Sequence, residues 1–210
     1  MPEGRMPLPG GVAPLLRCGS GLGYLMHRVP SDQIERDALA GQMLRRATGL
    51  TDVAISRRPS GRPRLQPPYP ELGVSMSSRA GYLLVGFSPA GAVGVDIETG
   101  NTRKPLDPMA LALDHFSTNE ARRVAALAPR TARDLFLRLW VAKEAVLKLT
   151  GRGVFDGLRE PDLSRNIEQL QAESVPVEIV HATLSDCRVQ VRCLHGPATT
   201  LYCALAHANP

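Results

Sequence analysis

Three carboxylates and a lysine have the residue types and the spacing for chemistry on a phosphate. Asp96 and Glu98 lie two residues apart in a strand-like segment, so their side chains point to one face of the strand. Glu144 and Lys148 lie four residues apart in a helical segment and stack on one stripe of the helix. Mg²⁺ is commonly held by a few carboxylates together with substrate phosphates and water. The three carboxylates therefore predict a magnesium site, and Lys148 is placed to reach a phosphate bound there.

Each of these pairs also has a purely structural interpretation. Asp96 and Glu98 alone fit the exposed face of a strand. Glu144 and Lys148 alone fit a solvated i,i+4 ion pair, which contributes little to stability. The metal-site interpretation depends on the strand and the helix meeting in the folded chain.

A long amphipathic helix must position Glu144 and Lys148. Its apolar residues recur at steps of four and three, which is the spacing of a buried helix face. They are Leu135, Leu139, Ala142, Val146 and Leu149. The helix is predicted to start at Thr131 or Ala132 and to stop at Gly151.

The remaining patterns predict strands and helices in both halves of the chain. The carboxylate-bearing strand covers residues 91–98 and turns Val93, Val95 and Ile97 to its other face. Further strands are predicted at residues 53–56, 73–77, 82–87, 175–180, 188–194 and 201–206. Residues 1–21 are rich in Pro and Gly and are interpreted as irregular or partly extended, with a turn at residues 19–23.

Two further helices have recognisable N-termini. Ser31 is the expected N-cap of a helix that runs to about Ala47 and stops at Gly49. Its expected inner face consists of Ile34, Leu39, Met43 and Leu44. Ser117 and Glu120 match a capping box, and Pro129 is expected to end the helix that they open.

Composition excludes several classes of protein. The 210 residues can bury a sizeable core, as one large domain or two small halves. The net charge of +5 favours a polyanionic partner, but no Lys/Arg block with interleaved aromatics indicates nucleic acid. No apolar run is long enough to cross a membrane, and the proline-rich start is a poor signal peptide, so we expect a cytoplasmic protein. Cys18, Cys187, Cys193 and Cys203 form no CxxC and are expected to be buried thiols.

Two short motifs resemble the signature of a known enzyme family. Residues 94–98 read GVDIE, and residues 140–148 read WVAKEAVLK, followed by GRG at 151–153. The pair resembles the GxDIE and WxxKEAxxK motifs of the 4'-phosphopantetheinyl transferases of the Sfp type. Phe116 with Glu120 resembles the family's F-x-x-x-E stretch, and GRP at residues 61–63 resembles its GKP, with Arg62 in place of lysine.

The resemblance implies a fold and an assembly. The fold would be α+β, with two similar α/β halves related by a pseudo-twofold axis and coenzyme A bound between them. Residues 1–91 would form the N-terminal half, on the coenzyme A side. Residues 92–210 would form the C-terminal half, with the metal site and the central helix. A chain duplicated in this way could complete its site as a monomer.

The resemblance also implies a reaction. The 4'-phosphopantetheine arm of coenzyme A would pass to a serine of an apo acyl or peptidyl carrier protein, with release of adenosine 3',5'-bisphosphate. Asp96, Glu98 and Glu144 would hold Mg²⁺ on the pyrophosphate, and Lys148 would contact the pyrophosphate. Glu144, or a water that it orients, would take the proton of the serine. The basic charge suits carriers of this kind, which are usually acidic.

The residues expected to bind coenzyme A are Arg62, Ser75, Ser77 and Lys148, with Arg28 and Arg36 for the 3'-phosphate, and the chain departs from the family pattern in two places. The family's basic residues ahead of its first long helix are thinned out here, and Arg45 and Arg46 are less favoured candidates because they lie deep in the predicted helix. The family's N-x-S-H-S segment corresponds to GVSMS at residues 73–77, where Met76 replaces the histidine. Methionine cannot donate a hydrogen bond to a phosphate. Either Ser77, Ser78 or Arg79 compensates, or coenzyme A binding is weaker or altered.

The sequence leaves the roles of several motif residues open. Trp140 either shapes the site or belongs to the core, Glu120 is either a capping residue or a site residue, and a surface role is open for Lys143. Carrier docking is expected at the loop after Glu98 and the start of the next helix, a region that includes Met109, Leu111 and Phe116, with a core role favoured for Phe116. A relative that binds coenzyme A or a carrier without transfer is one alternative, and another phosphoryl-transfer enzyme with the same carboxylates is a second.

Overall fold

The computed structural model describes residues 14–27, 29–101, 107–151, 158–172, 177–181, 184–197 and 199–208, and they form a mixed α+β fold, as predicted. The strands are β1 Leu16–Cys18, β2 Gly21–His27, β3 Ile55–Arg57, β4 Pro63–Leu65, β5 Gly73–Arg79, β6 Tyr82–Ser88, β7 Val93–Thr99, β8 Val177–His181, β9 Leu184–His195 and β10 Thr200–Ala208. The α-helices are α1 Gln33–Thr48, α2 Pro108–His115, α3 Thr118–Ala125, α4 Pro129–Thr150 and α5 Ile167–Ala172.

Two antiparallel sheets of four strands each form the centre of the molecule. The first has the strand order β1-β2-β6-β5 and the second β7-β10-β9-β8, while β3 and β4 form a separate hairpin. A tight turn joins β5 to β6. Ala80 and Gly81 both have positive φ there, at 48° and 80°. Two such residues in a row match the right-handed twist of the flanking strands.

Three apolar clusters order these elements into layers. α1 packs on one face of the first sheet, with Leu44 in the same cluster as Leu83. The other face of the first sheet packs on the second sheet, with Leu84 in the same cluster as Val95. α4 covers the far face of the second sheet through residues such as Val146. The layers therefore run helix, sheet, sheet, helix, and the pseudo-twofold relation between the halves stays a prediction.

The side chains of β7 alternate as the sequence predicts. Val93, Val95 and Ile97 are each no more than 1% exposed and pack between the two sheets. Asp96 and Glu98 consequently point to the opposite face, which is the face covered by α4. The apolar half of the strand thus fixes the direction in which its two carboxylates point.

Gly94 lets α4 approach β7 closely. A Cβ built on Gly94 would lie 1.9 Å from the carbonyl oxygen of Ala145 and 2.5 Å from the backbone nitrogen of Leu149. No side chain other than hydrogen fits at that distance, so the helix backbone rests directly on the strand. Asp96 follows Gly94 by two residues on the same face and is thereby brought to the helix.

The sequence predicts the C-terminal end of α4 better than its N-terminal end. The predicted stop at Gly151 is confirmed, since Gly151 is the left-handed C-cap with φ 76°. The predicted start at Thr131 or Ala132 is two or more residues late, because α4 begins at Pro129. Proline suits a first helical position, where its missing N–H would have no partner within the helix.

The N-terminal part of the chain departs most from the prediction. Residues 16–27 form the β1–β2 hairpin, so this part of the chain is extended, and the predicted turn contains Gly19 at φ 58° but is shorter than expected, because β2 begins at Gly21. Asp32, not Ser31, caps α1 by accepting a hydrogen bond from the backbone nitrogen of Glu35. Ile34 is 79% exposed, so its assignment to the inner face was wrong. Met43 and Leu44 are buried there, as expected.

The structure describes the state of the cysteines and the length of the helices. All four cysteines are free and buried, and burial raises the pKa of Cys18 and of Cys203 to about 12. None of the helices that the structure describes is both long enough and apolar enough to cross a membrane.

Replacing Gly94 by alanine is expected to destabilise the fold. The added Cβ collides with the backbone of α4, which cannot move aside as a flexible side chain can. We expect the free energy of unfolding to fall by about 3 kcal/mol or more, measured by urea denaturation.

Gly100→Ala is the matched control for this prediction. Gly100 comes directly after β7, and it is an even number of residues from Gly94. A Cβ built on Gly100 would have the Thr200 carbonyl oxygen as its nearest neighbour, at 3.4 Å, which is an ordinary contact. A Gly94→Ala loss no larger than the Gly100→Ala loss would contradict the close packing of α4 on β7.

Candidate active site

Asp96 lies at the centre of the candidate site. It is 5% exposed, and its Oδ1 accepts hydrogen bonds from Ser77 Oγ and Lys148 Nζ, each at 2.7 Å. Its Oδ2 is buried and has no hydrogen-bond partner among the described residues. A buried carboxylate oxygen without a partner is costly unless a cation or a donor satisfies it. The structure thus joins a residue of β5, a residue of β7 and a residue of α4 at one carboxylate.

The negative charge of Asp96 raises the pKa of both Glu98 and Glu144. Burial and then repulsion from Asp96 raise the pKa of Glu98, against the opposing effect of Arg79, whose Nε lies 2.9 Å from Glu98 Oε2. Glu144 is 6% exposed, and burial followed by repulsion from Asp96 raises its pKa to about 7. Lys148 opposes this shift and Glu98 adds to it. The three carboxyl groups predicted from sequence are therefore electrostatically coupled.

The donors suit Mg²⁺ in their chemistry, although they do not converge as they stand. Within the described ranges, no group of three Asp, Glu, His or Cys side chains is gathered closely enough to hold a metal ion. Asp96 is engaged by Ser77 and Lys148, and Glu98 by Arg79. All three donors are nevertheless carboxylates, one oxygen of Asp96 is unsatisfied, and a divalent cation would relieve their mutual repulsion.

Ser75 and Ser77 both point from β5 toward β7. Ser75 is 5% exposed, and its Oγ accepts a hydrogen bond from the backbone nitrogen of Val95 at 3.1 Å. This bond ties the edge strands of the two sheets together. Ser77 donates to Asp96 instead. Both hydroxyls thus have protein partners, and their contact with coenzyme A stays a prediction.

Arg62 caps the C-terminus of α4. Its Nη2 donates to the carbonyl oxygen of Leu149 at 3.1 Å, and a Cβ on Gly151 would lie 2.5 Å from its Nη1. A cation at this end of a helix interacts favourably with the helix dipole. Burial, with repulsion from Arg58, lowers the pKa of Arg62. Its contact with the phosphates of coenzyme A stays a prediction, and it lies at the Lys148 end of α4.

Arg36 and Arg28 are the two N-terminal arginines that were expected to meet the 3'-phosphate. Arg36 donates to the carbonyl oxygens of Pro30 and Ser31 and, at 3.0 Å, to Gln33 Oε1. Its guanidinium is thus bound to the start of its own helix. Arg28 lies outside the described residues, so the predicted contact with the 3'-phosphate stays a prediction for both.

Met76 points to the α1 side of the first sheet, whereas Ser75 and Ser77 point to β7. It packs against the cluster that contains α1. Arg57 Nη2 lies 3.9 Å from Met76 Sδ, and the same guanidinium holds Asp37 in a two-point ion pair at 2.7 and 2.9 Å. Arg57 was not predicted as a site residue from the sequence, although it lies shortly before the GRP motif.

The substitutes suggested for the missing histidine divide between the two faces of β5. Ser77 pairs with Asp96, and Arg79 pairs with Glu98, so both lie on the carboxylate side. Ser78 is exposed and shares the alternation of Met76. Arg57 is thus the cation that the structure places beside Met76.

Lys143 is a buried structural residue. It is 0% exposed, so the surface role that the sequence left open is wrong. Its Nζ lies 2.9 Å from Glu120 Oε1 and donates to the carbonyl oxygen of Pro161. Burial lowers the pKa of Lys143, and Glu120 opposes this shift. Phe116 lies under the same ammonium group, 5.5 Å from it to the ring centroid.

Glu120 holds three parts of the chain together. Its Oε2 accepts from the backbone nitrogen of Ser117 at 2.9 Å, which completes the predicted capping box of α3. Its Oε1 accepts from the backbone nitrogen of Leu163 at 2.7 Å and pairs with Lys143. The capping role expected from sequence is confirmed, and the ion pair adds a bond from α3 to α4.

Trp140 belongs to an aromatic cluster. Its ring centroid lies 5.5 Å from Phe136, 6.3 Å from Phe116 and 5.8 Å from His115, the last in an edge-on arrangement. These contacts favour the core interpretation of Trp140. The WxxKEAxxK motif therefore contains two groups of residues, with Trp140 and Lys143 in packing and Glu144 and Lys148 in the carboxylate site.

Comparison with known proteins agrees with this arrangement. The model of the 4'-phosphopantetheinyl transferase superfamily matches residues 92–205, which is more than half of the chain and includes β7, α4 and β10. The chain therefore belongs to the 4'-phosphopantetheinyl transferase superfamily.

Two relatives carry names from the same family. A Synechocystis sp. protein, named provisionally as a 4'-phosphopantetheinyl transferase, is 34% identical over 116 residues, covering 54% of this chain and 46% of its own. The 4'-phosphopantetheinyl transferase psf-1 of Bacillus pumilus is 37% identical over 81 residues, covering 39% of this chain and 33% of its own. The chain thus spans less than half the length of the curated relatives it matches.

Replacing Lys143 by methionine is expected to lower the free energy of unfolding by about 3–5 kcal/mol, because it leaves the buried Glu120 carboxylate without its cation. Lys148→Met makes the same change five residues along α4, where the ammonium is 32% exposed. That variant is expected to lose less, about 1–2 kcal/mol, because the buried Asp96 keeps its hydrogen bond from Ser77 and the Lys148 side of the site is open to water. Equal losses in urea denaturation would contradict a structural role specific to Lys143.

Replacing Glu144 by glutamine is expected to stabilise the metal-free protein at high pH. Folded Glu144 titrates at about 7 against an ordinary pKa of 4.5, so the folded state binds more protons between these values. Stability contributed by protonation is therefore lost as the pH rises through this window, and glutamine avoids the loss.

The measurement is urea denaturation of both proteins with a chelator present. The variant should be about 1–3 kcal/mol more stable than the wild type near pH 8, with the advantage gone near pH 4. The exposed Glu168→Gln serves as control. An advantage that is equal at both pH values would contradict the raised pKa.

Proposed function

We propose that this protein is a transferase of the Sfp type that moves the 4'-phosphopantetheine arm of coenzyme A to a serine of an apo acyl or peptidyl carrier protein. The other product is adenosine 3',5'-bisphosphate. The observation that carries the proposal is the buried Asp96, which is bound by Lys148 and electrostatically coupled to Glu98 and Glu144. Membership of the superfamily gives this cluster its substrate class.

Asp96, Glu98 and Glu144 would hold Mg²⁺ in this proposal. Their donor chemistry fits the ion, and the unsatisfied Oδ2 of Asp96 supplies a ligand atom that no described residue uses. When bound, the ion would supply positive charge for the pyrophosphate of coenzyme A and for the charge that develops during transfer.

Glu144 has the properties of a general base for the incoming serine. Burial and repulsion from Asp96 raise its pKa to about 7 in the metal-free protein, and a bound cation would lower that pKa and keep the carboxylate ionised, so that it can accept a proton. The serine Oγ forms a bond to the phosphorus that carries pantetheine, the bond from that phosphorus to adenosine 3',5'-bisphosphate breaks, and the serine proton goes to Glu144 or to a water that it orients.

Lys148 would stabilise the pyrophosphate. In the structure its Nζ is bound to Asp96 Oδ1 at 2.7 Å and is about one-third exposed, so it borders both the carboxylates and open space. A positioned cation near the phosphates favours the transition state of phosphoryl transfer. Arg62, Ser75, Ser77, Arg28 and Arg36 are the remaining proposed contacts of coenzyme A.

The carrier would dock beside α2. Met109 and Leu113 are 50% and 59% exposed on this helix, which follows β7 in the chain. Phe116 is 1% exposed and stacks on Phe136, so it has the core role that was favoured for it and lies outside this docking surface. An acidic carrier would suit the net charge of +5. We further propose that the protein acts as a cytoplasmic monomer.

Asp96→Asn and Glu144→Gln are each expected to lower the rate of transfer roughly 100- to 1000-fold while the protein stays folded. The measurement is the mass gain of an apo carrier incubated with coenzyme A and Mg²⁺, and Glu168→Gln is the control. Retained activity in both variants would contradict the site. A wild-type protein that binds coenzyme A but modifies no carrier would support the non-transferring relative instead.

Arg57 is proposed to supply the phosphate contact that Met76 cannot make, because its guanidinium lies 3.9 Å from Met76 Sδ. Arg57→Gln is expected to weaken coenzyme A binding roughly tenfold in calorimetry. Arg64→Gln is the control, since Arg64 is exposed on the neighbouring strand β4. Equal affinities for the two variants would contradict this assignment.

A further inference from the structure

A basic cleft of about 430 Å³ lies at the N-terminal end of α4. Its walls include Arg130 and Arg133 from the start of α4, His195 from the end of β9, and Gly100 just beyond β7. Gly100 follows Asp96 by four residues, which is about 13 Å along a strand. The carboxylate site lies toward the C-terminal half of α4, so the cleft is a separate feature of the same helix.

The cleft has an excess of positive charge. Asp134 is the carboxylate among its described lining residues. Its Oδ1 accepts a hydrogen bond from Tyr202 Oη at 3.0 Å, and its Oδ2 accepts one from Arg138 Nε at 2.8 Å. Arg138 thus neutralises Asp134, and no other carboxylate among the described lining residues compensates the charges of Arg130 and Arg133.

Arg133 has a donor without a partner. The Nε of its half-buried side chain is shielded from solvent and makes no hydrogen bond within the part of the chain that the structure describes. A buried donor left unsatisfied costs free energy. The Arg133 side chain lines the cleft, so a turn of this side chain toward a bound anion would give its Nε a partner. This observation is independent of the charge count.

The backbone of α4 adds a second set of donors. Ala128 is the N-cap of this 22-residue helix, and no side chain caps its first turn. The free N–H groups and the dipole of such a turn favour a bound anion. Arg130 and Thr131 of this turn line the cleft.

We propose that this cleft binds the phosphate group of a small phosphorylated molecule, separately from the transfer reaction proposed above. A phosphate matches the arginine forks and the helix N-terminus at once. The volume is enough for a molecule of sugar-phosphate or nucleotide size.

Calorimetric titration of the full chain with inorganic phosphate tests the proposal. We expect saturable binding at one site, weakened roughly tenfold by Arg133→Gln and by Arg130→Gln. Arg123→Gln removes the same charge from an exposed position on α3 and should leave the affinity unchanged.

Three outcomes would overturn the proposal. They are the absence of saturable binding, an Arg123→Gln effect as large as that of Arg133→Gln, and citrate binding as tight as phosphate binding. Urea denaturation of Arg133→Gln checks its fold, and Arg130 is exposed, so its variant gives a second reading that does not depend on core packing. None of these measurements requires transfer activity, so they remain valid if the proposed reaction fails.

Discussion

The structure of the site depends on the direct contact between α4 and β7 at Gly94. A helix backbone can rest on a strand only where the strand has no side chain, and here the Ala145 carbonyl would be 1.9 Å from a Cβ. Because strand side chains alternate, the next residue on that face is Asp96, which meets Lys148 at 2.7 Å. The glycine and the aspartate of the GxDIE motif are therefore linked by geometry, the first allowing the approach and the second using it.

A second set of bonds fixes the rotation and position of α4. Lys143 is paired with Glu120 in a fully buried ion pair, and Glu120 also caps α3 and binds the backbone of Leu163. Arg62 binds the other end of the helix from the β3–β4 hairpin. A helix held at these points presents Glu144 to Asp96 without freedom to turn away. The cost of burying Lys143 and Glu120 is offset only while both are present.

Much of this arrangement follows from the sequence. The steps of four and three along α4, the alternation in β7 and the capping box of Ser117 and Glu120 are local patterns, and all were confirmed. Long-range contacts were harder to predict. The burial of Lys143 depends on Glu120, 23 residues earlier, and on Pro161, 18 residues later. The outward position of Ile34 depends on which face of α1 the first sheet covers, and the hairpin of β1 and β2 is stabilised by a sheet that forms from later strands.

The carboxylates at the α4–β7 contact are held together against their mutual repulsion, as expected of residues that bind a cation. The most direct test is a ¹³C NMR titration of the Glu144 carboxyl group, assigned by comparison with Glu144→Gln, with and without Mg²⁺. The pKa should lie near 7 in the metal-free protein and fall below its ordinary value of 4.5 when Mg²⁺ is added. A pKa that is ordinary without the ion and unchanged by it would contradict the coupling of these carboxylates and their assignment to a metal site.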